Sequence, residues 1–333
     1  MMLAELDIFK TCLHTITVIA FPLHVLGCYC ILFKTPNTLS SVKWPLFNLH
    51  FWSMLFDWSI TILTVPVLLF PALAGCPAGV LTILFNVPAV VQTYSVLTMC
   101  IVLPTAIISV IENRYYQLYA KNSRWSYYRK VLYAINYFLS FSFCIPSVLT
   151  VPEQSEALKI VYQQIPSLPD EIRSLPIFVF ATDYRYFIPA FYFMCALCLT
   201  EAIIFVVLLY RNMKHTFARS RSTIVVLSFH LVLPAFYILF SVLLDYYNQS
   251  GNSMIFILTG LHGISSTVIM LWAHKPYRLA CVDLWRNCRS LFKSQVHRGL
   301  SVTDVSQDAY GPRRNYMWVR MRSVTDRLSN GLM

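Results

Sequence analysis

A compact group of polar and aromatic residues ends one long apolar span of the chain. The span, 84–111, has 28 residues and no charge, which suffices to cross a bilayer at about 1.5 Å per helical residue. It runs directly into Glu112-Asn113-Arg114-Tyr115-Tyr116. A carboxylate beside a guanidinium at the water boundary can form a bidentate ion pair, and tyrosine suits an interface because its ring is apolar and its tip polar. An ordinary basic stop after a membrane helix is the alternative interpretation.

A second candidate is an acid inside an apolar run. Asp57 lies about twelve residues into the span 46–70, near the bilayer centre, where a charge costs roughly 2.5–3.5 kcal/mol on insertion scales. It should therefore face the helix bundle or be protonated. His262 lies at similar depth in the span 253–273, beside hydroxyl residues that begin at Ser265. We hypothesise a polar contact between Asp57 and this group that acts as an intramembrane switch. A neutral acid satisfied by one neighbour is the alternative.

A ligand pocket, if the bundle holds one, is expected in its outer half. Gln92 and Tyr94 of the third span and Tyr192 of the fifth lie at the appropriate depth. Aromatic residues are frequent along the whole chain, so these three are candidates chosen by depth alone.

Composition sets the class of protein. The 333 residues are 57% hydrophobic and only 12% charged, against about 25% charged in soluble proteins, and the apolar residues fall in blocks. This predicts an integral membrane protein. The net charge of +11 resides in particular loops, which a membrane explains better than nucleic acid does. The eight histidines show no ligand spacing with cysteine or carboxylate, and there is no phosphate-binding glycine loop or nucleophile elbow. We expect no metal, no cofactor and no enzymatic activity.

Seven apolar spans predict an all-α, seven-helix membrane bundle. Preceded by a short segment 1–12, they are 13–33, 46–70, 84–111, 131–151, 186–209, 224–244 and 253–273. Residues 279–293 then read as a basic amphipathic helix of the kind that lies on an anionic leaflet. We therefore expect one membrane domain over 13–293 and a disordered tail over 294–333.

The basic residues predict the orientation of the bundle. Alternate connecting segments, together with the tail, hold 22 Lys and Arg, whereas the opposite set holds 4. Positively charged loops stay in the cytoplasm, so the N-terminus is expected outside and the C-terminus inside, which requires an odd number of spans.

Several residues are candidates for covalent modification. Cys281 and Cys288 lie seven apart on one face of the predicted surface helix and could be palmitoylated, with plain packing as the alternative. Asn248 begins a glycosylation sequon, but the loop is short and hugs the membrane. Cys12 and Cys76 both fall near the outer face, and whether they form a disulfide stays open. The long outer loop 152–185 contains no cysteine.

The seven spans, the basic inner face and the group at 112–116 together resemble G-protein-coupled receptors. In those receptors an acid-Arg-Tyr group at this place holds the inactive state, and its arginine engages the G protein. The resemblance implies that role for Glu112, Asn113, Arg114 and Tyr115. Here Asn113 separates the acid from the arginine, and the Asn-Pro-x-x-Tyr pattern of the seventh span is missing, so the chain is not a close rhodopsin-type receptor.

The sequence more closely resembles nematode chemoreceptors, specifically serpentine receptor class h. The stretches that carry this resemblance are Lys34-Thr35-Pro36 with Val42-Lys43-Trp44 and Asn48-Leu49-His50-Phe51-Trp52-Ser53; Phe70-Pro71-Ala72-Leu73-Ala74-Gly75; Ile111-Glu112-Asn113-Arg114-Tyr115; and Leu261-His262-Gly263-Ile264-Ser265-Ser266-Thr267 with His274-Lys275-Pro276-Tyr277-Arg278. The resemblance implies a multi-pass plasma-membrane receptor in the cilia of chemosensory neurons. It would detect an environmental or pheromone small molecule and activate a heterotrimeric G protein.

Two other classes of protein fit less well. A membrane transporter or ion channel usually needs a polar path, yet within the spans only Asp57 and Glu201 are acidic and no inverted repeat is visible. An intramembrane enzyme would need paired aspartates, a Ser-His pair or a His-Glu metal motif, and the spans contain none of these.

Overall fold

The computed structural model describes residues 2–212 and 232–290. Described residues up to Ala280 belong to one compact unit, and residues 281–290, which are helical, belong to a second. The predicted tail 294–333, the end of the predicted surface helix and the start of the predicted sixth span lie outside the described residues.

The apolar runs of the first unit fold into helices, and a short sheet follows the second of them. The helices are α1 (Met2–Phe33), α2 (Ser40–Trp58), α3 (Val80–Ile83), α4 (Ala89–Tyr115), α5 (Trp125–Ser142), α6 (Ile145–Leu149), α7 (Gln154–Gln164), α8 (Asp170–Arg173), α9 (Tyr184–Asn212), α10 (Val232–Leu243), α11 (Gln249–Gly260) and α12 (His262–Ala273). The strands are β1 (Pro66–Leu68), β2 (Leu73–Pro77) and β3 (Phe178–Ala181).

Five helical segments of the described chain are long and apolar enough to cross a bilayer: Leu6–Phe33, Ala89–Ala120, Trp125–Leu149, Tyr184–Arg211 and Gln249–Ala273. Apolar side chains such as Val18, Phe138 and Trp272 are exposed on their outer surfaces, as expected where lipid is the solvent. The protein is therefore a mostly helical, multi-pass membrane protein. The second and sixth predicted spans correspond to the shorter helices α2 and α10.

The second predicted span, 46–70, is wrong at its C-terminal end. Helix α2 ends at Trp58, one π-helical turn follows over Ser59–Leu63, and the chain then becomes extended in β1. Pro66 accounts for this change, because proline lacks a backbone N–H and disfavours helical backbone at the residue before it.

The loop expected over 152–185 is an ordered structure rather than a plain loop. It contains α7, α8 and β3, and β3 pairs antiparallel with β2, with Phe178 opposite Gly75. In turn, β2 pairs antiparallel with β1. Backbone hydrogen bonds in a three-stranded sheet thus hold this segment, and a small apolar core that includes Leu69, Val161 and Val179 packs beneath it.

Helix α4 is the central element of the bundle, because it packs against α2, α5 and α9. One core cluster surrounds its first half and includes Leu13, Phe56 and Leu103; another surrounds its second half and includes Ile108 and Phe205. A side chain on α4 can therefore contact several helices at either end of the bundle.

Candidate functional site

The last turn of α4 holds a buried carboxylate surrounded by donors. Glu112 is fully buried, and Arg129 of α5 donates to it from Nε at 3.2 Å and from a terminal nitrogen at 2.8 Å. Trp125 donates its indole N–H to Oε1 at 2.6 Å, and the Tyr133 hydroxyl donates to Oε2. We call Glu112 and Arg129 the Glu112 ion pair. Both oxygens of the carboxylate are satisfied, which is what a buried charge requires.

The guanidinium of Arg129 is held on more than one side. It donates to Asn113 Oδ1 at 3.0 Å and lies over the ring of Tyr116 at 3.9 Å. Asn113 also donates to the Ser41 carbonyl at the start of α2, at 3.1 Å. The Glu112 ion pair therefore joins α4 to α5, and Asn113 extends the connection to α2. Stacking of the planar guanidinium on an aromatic face suits arginine in a way that lysine cannot reproduce.

Glu112 pairs with Arg129 rather than with Arg114, the partner predicted from the sequence. The guanidinium that reaches Glu112 is that of Arg129, because residues two apart on a helix point to different sides. Glu112 is buried against α5, whereas Arg114 is exposed. Tyr115 is half-buried and packs its ring against Phe205 of α9. The four predicted residues thus separate into a buried pair, Glu112 and Asn113, and a more accessible pair.

The acid in the second span forms part of a buried polar cluster. Asp57 is 1% exposed. Its Oδ2 lies 3.2 Å from Nε2 of His24, and its Oδ1 accepts from the backbone N–H of Gly263 at 3.2 Å. The α11–α12 helix breaks at Leu261, so Gly263 lies in the first turn of α12, where backbone N–H groups and the helix dipole favour a carboxylate.

The structure places Asp57 beside the region of His262, in contact with the backbone N–H of Gly263. His262 is buried, and its Nδ1 lies 3.4 Å from the hydroxyl of Ser53 on α2. Ser266 meets the same Ser53 hydroxyl at 3.1 Å. Ser265, the predicted member, donates instead to the Leu261 carbonyl one turn back in its own helix, at 2.9 Å. Ser266, rather than the predicted Ser265, therefore provides a hydroxyl that joins α12 to α2.

Two histidines complete this cluster. Nδ1 of His24 lies 3.3 Å from the Thr267 hydroxyl, and Nε2 of His50 lies 3.0 Å from the His24 carbonyl. We call His24, His50, Ser53, Asp57, His262, Ser266 and Thr267 the Asp57 cluster. It joins α1, α2 and α12.

Two glycines allow these helices to approach one another. A Cβ on Gly27 would lie 2.6 Å from the His50 ring, and a Cβ on Gly263 would collide with the carboxylate of Asp57. Polar contacts in the Asp57 cluster therefore depend on small residues at the helix interfaces, as is usual within membranes.

Residues from distant parts of the chain also meet beyond the end of α12. The Thr35 hydroxyl, just after α1, lies 2.8 Å from the hydroxyl of Tyr277. The His274 ring packs against Tyr277 with their centroids 5.2 Å apart, and burial lowers the pKa of His274. Tyr277 is itself buried. Stretches that carried the family resemblance thus contact one another in space.

At the sheet-bearing end of the bundle lies a cavity of about 120 Å³, which we call the sheet-side cavity. Its walls come from the sheet and its β1–β2 connection, from Thr64 shortly before the sheet, and from α4, α9, α10 and α11. They comprise Thr64, Pro66, Leu68, Phe70, Leu73, Ala74, Gly75, Cys76, Pro77, Thr93, Val96, Leu97, Phe178, Phe180, Phe187, Ile188, Phe191, Ile238 and Phe256. None of these lining residues, all within the described chain, is charged. A compact apolar molecule fits such a wall better than an ionic one.

The three predicted pocket residues lie outside the lining of this cavity. Gln92 is buried and donates from Nε2 to the Thr82 hydroxyl at 2.9 Å and to the Val87 carbonyl at 2.8 Å, which fixes the turn before α4. The hydroxyls of Tyr94 and Tyr192 donate at 2.8 Å to backbone carbonyls of neighbouring helices. In this arrangement the three side chains hold elements together, and other residues of α4 and α9 face the cavity.

The candidates for covalent modification take ordinary positions. Cys12 and Cys76 are both free thiols; Cys76 lies in β2, where burial raises the pKa of its thiol. Asn248 caps α11, because its side-chain oxygen accepts from the Gly251 N–H at 2.9 Å. Cys281 is half-buried and Cys288 exposed.

A multi-pass helical bundle with a buried ion pair at one end and an apolar cavity at the other has the architecture of a membrane receptor. The model of the family described as serpentine type 7TM GPCR chemoreceptor Srh matches residues 4–287. The chain belongs to this family. It is 26% identical over 287 residues to serpentine receptor class H-72 of Caenorhabditis elegans, an alignment that covers 80% of this chain and 83% of that receptor.

Two residues of these sites, His24 and Arg129, were not among the residues predicted from the sequence. His24 lies in the middle of the first apolar span, and a polar side chain at that depth is itself a signal for a buried partner. Arg129 precedes the fourth span by two residues, and the short connection after α4 places it near Glu112. Neither partner could be chosen from sequence alone, because several other polar residues lie at comparable depths.

Proposed function

We propose that this protein is a G-protein-coupled chemosensory receptor that binds a small molecule and activates a heterotrimeric G protein. One observation carries the proposal: α4 contributes both to the sheet-side cavity and to the Glu112 ion pair. Thr93 lines the cavity, and Glu112 lies nineteen residues later on the same helix. At 1.5 Å per residue the two are about 28 Å apart, close to the thickness of a bilayer core.

The Asp57 cluster provides a physical connection between these two ends. Thr64 lines the cavity and lies just after the π turn that extends α2 beyond Asp57. Within that turn Thr61 donates to the Asp57 carbonyl at 2.8 Å and accepts from the Thr17 hydroxyl of α1 at 2.7 Å. A ligand that moves Thr64 would therefore alter the packing of α1, α2 and α12. Ligands act by favouring one of two such packings.

The Glu112 ion pair is the proposed inactive-state lock. It joins the end of α4 to α5, with Asn113 extending the connection to α2. Movement of these ends would expose residues of α4 to a partner protein. Arg114, already exposed, and half-buried Tyr115 are the proposed contacts with the G protein.

Charge distribution supports an orientation with the N-terminus outside and the C-terminus in the cytoplasm. The Glu112 ion pair then faces the G protein and the cavity faces the exterior. The second unit has exposed Val282 and Trp285 within its described helical residues, and we propose that they contact the inner leaflet, with Cys281 and Cys288 as palmitoylation sites. The proposed location is the plasma membrane of chemosensory cilia.

The test is GTP exchange on added Gα subunits, in membranes that carry the wild-type receptor or its Arg114→Ala variant. Pools of volatile and water-soluble odorants supply the ligand. We expect exchange to rise with one pool and to be lost in Arg114→Ala at equal surface expression. A matched control is Arg173→Ala, which removes an arginine from α8 beneath the sheet and should leave exchange unchanged. Ligand-driven exchange that survives Arg114→Ala would contradict the role of Arg114, and ligand-driven ionic current without exchange would identify a channel instead.

A further inference from the structure

We infer that the sheet-side cavity binds a compact, uncharged, mainly apolar molecule that carries one hydrogen-bond-accepting oxygen, and that Thr64 donates to that oxygen. This inference rests on the proposed receptor function for its biological meaning. Its test measures binding directly, in the absence of any G protein.

The cavity wall selects against charge and polarity. Six phenylalanines contribute to it: Phe70, Phe178, Phe180, Phe187, Phe191 and Phe256. Phe187 packs edge-on against Phe180, with centroids 5.1 Å apart, and stacks on Phe191 at 5.9 Å. Moving an ion from water into such surroundings is strongly unfavourable, whereas a ring or branched alkyl group gains contacts with aromatic faces.

The volume sets the size of the ligand. The cavity encloses about 120 Å³, and an apolar protein cavity of about 150 Å³ binds benzene. The occupant therefore has roughly five or six non-hydrogen atoms. This excludes long-chain lipids and glycosides as complete occupants of the cavity.

Two hydroxyls provide the polar feature. The lining residues Thr64 and Thr93 both carry one, and neither side chain hydrogen-bonds to another of the described residues. Thr64 is 5% exposed, so its side chain has little contact with bulk water. A hydrogen bond made within an apolar wall is stronger than the same bond made in water, so a ligand oxygen would gain most from a donor at this position. Thr93 is only half-buried, which makes Thr64 the stronger donor.

Backbone contacts on both sides of Thr64 fix the position of this residue. Its N–H donates to the Ser59 carbonyl across the π turn at 2.9 Å, and its carbonyl accepts from the Gly79 N–H at 2.8 Å. A Cβ on Gly79 would lie 2.6 Å from the Thr64 carbonyl carbon, so only glycine permits this approach. The next residue, Val65, has a φ of 45°, which is rare for a β-branched side chain. Strain of this kind and π turns both concentrate at functional positions.

The experiment titrates purified receptor in nanodiscs with three probes of equal size, each with about six non-hydrogen atoms: cyclopentanone, methylenecyclopentane and cyclopropanecarboxylate. The first two have nearly the same shape and differ in the oxygen. Binding is measured as the dissociation constant by calorimetry, with protein-free nanodiscs subtracted for partition into lipid. We expect cyclopentanone to bind about tenfold more tightly than methylenecyclopentane, the factor that one hydrogen bond supplies, and cyclopropanecarboxylate not to bind.

Variants assign the difference to Thr64. Thr64→Val keeps the shape and should weaken cyclopentanone binding about tenfold while leaving methylenecyclopentane binding unchanged; Thr64→Ser should restore the difference. The matched control Thr98→Val removes a hydroxyl of α4 outside the cavity lining and should change neither constant by more than about twofold. Val96→Phe, which fills the cavity from α4, should abolish binding of both.

Three results would overturn the inference. Equal affinity for cyclopentanone and methylenecyclopentane would contradict the role of Thr64. Binding that survives Val96→Phe would place the ligand elsewhere. Binding of none of the probes would refute the ligand class. Specific binding without GTP exchange would contradict the receptor function alone. Odorant-driven exchange without binding of these probes would contradict this inference alone.

Discussion

Glu112 and Asp57 are both buried acids in the bundle, but they are satisfied in different ways. Glu112 meets a full cation, an indole N–H and a phenol, all from a stretch 13–21 residues further along the chain. Asp57 meets a histidine ring 33 residues before it and a backbone N–H 206 residues after it. The first site is made by one helical hairpin, and the second requires three helices that are far apart in sequence.

This difference indicates what each site can report. The Glu112 ion pair can break while the rest of the bundle stays packed, because Glu112 and Arg129 lie on two adjacent helices, α4 and α5. The guanidinium of Arg129 is also partly exposed. The Asp57 cluster cannot change without moving α1, α2 and α12 against one another. We therefore interpret the Glu112 ion pair as the contact that breaks when the receptor is activated. We interpret the Asp57 cluster as the group whose contacts change when α1, α2 and α12 move against one another.

The most damaging change is expected at the Asp57 cluster. Gly263→Ala puts a methyl group into the carboxylate of Asp57, and we expect a loss of about 4 kcal/mol or more in the free energy of unfolding. Folded receptor, measured as the monodisperse fraction after detergent extraction, should fall sharply. The matched variant Gly260→Ala places its Cβ 3.0 Å from a Thr61 methyl group and should be far milder. Equal effects of the two would contradict the tight approach at Gly263.

The next largest effect is expected at the Glu112 ion pair. Arg129→Met leaves a buried carboxylate without its cation, which costs about 3–5 kcal/mol. The double variant Glu112→Leu with Arg129→Met should recover most of that loss, because no charge then remains buried. Equilibrium unfolding in mixed micelles measures both. If the double variant were as unstable as Arg129→Met alone, the penalty would not arise from the unpaired charge.

Removing only the charge of Asp57 should cost less. Asp57→Asn keeps an oxygen that can accept from the Gly263 N–H but weakens the contact with His24, so we expect a loss of about 1–3 kcal/mol. The same unfolding experiment measures it, together with ligand-driven GTP exchange. Unchanged folding, surface expression and signalling would refute a role for Asp57 as a polar switch.

The smallest expected losses of unfolding free energy are those at two neighbouring serines, Ser265 and Ser266. Ser266→Ala removes a contact between α12 and α2 and should cost about 0.6 kcal/mol, the mean for such interactions in membranes. Ser265 bonds only within its own helix among its described contacts, so Ser265→Ala should cost close to nothing. A larger effect for Ser265→Ala than for Ser266→Ala in mixed-micelle unfolding would reverse the assignment made from the structure.

Apolar spans could be predicted from sequence because each residue in lipid must satisfy its backbone within a helix. Their ends could not, since they depend on local chemistry. The helix predicted to reach residue 70 stops before Pro66, and the segment around Phe178 pairs with Gly75 through backbone groups that leave little trace in composition.

The candidate sites show the same limit. Asp57 and Glu112 could be identified because an ionised acid in or beside an apolar span costs free energy unless a partner satisfies it. Their partners could not be, because the choice between Arg114 and Arg129, or between Ser265 and Ser266, depends on helix rotation by a fraction of a turn. The cavity was missed for a different reason: its walls come from a sheet that the span pattern did not anticipate.

Basal GTP exchange, without ligand, tests the central claim that the Glu112 ion pair holds the inactive state. Glu112→Gln removes its charge while keeping its size, and the control Glu201→Gln changes a half-buried acid that accepts from Asn136 at 2.6 Å, an amide rather than a cation. At equal surface expression, Glu112→Gln is expected to raise basal exchange on Gα several-fold, and Glu201→Gln to leave it near the wild-type rate. Basal exchange that is unchanged or lower in Glu112→Gln would contradict the account.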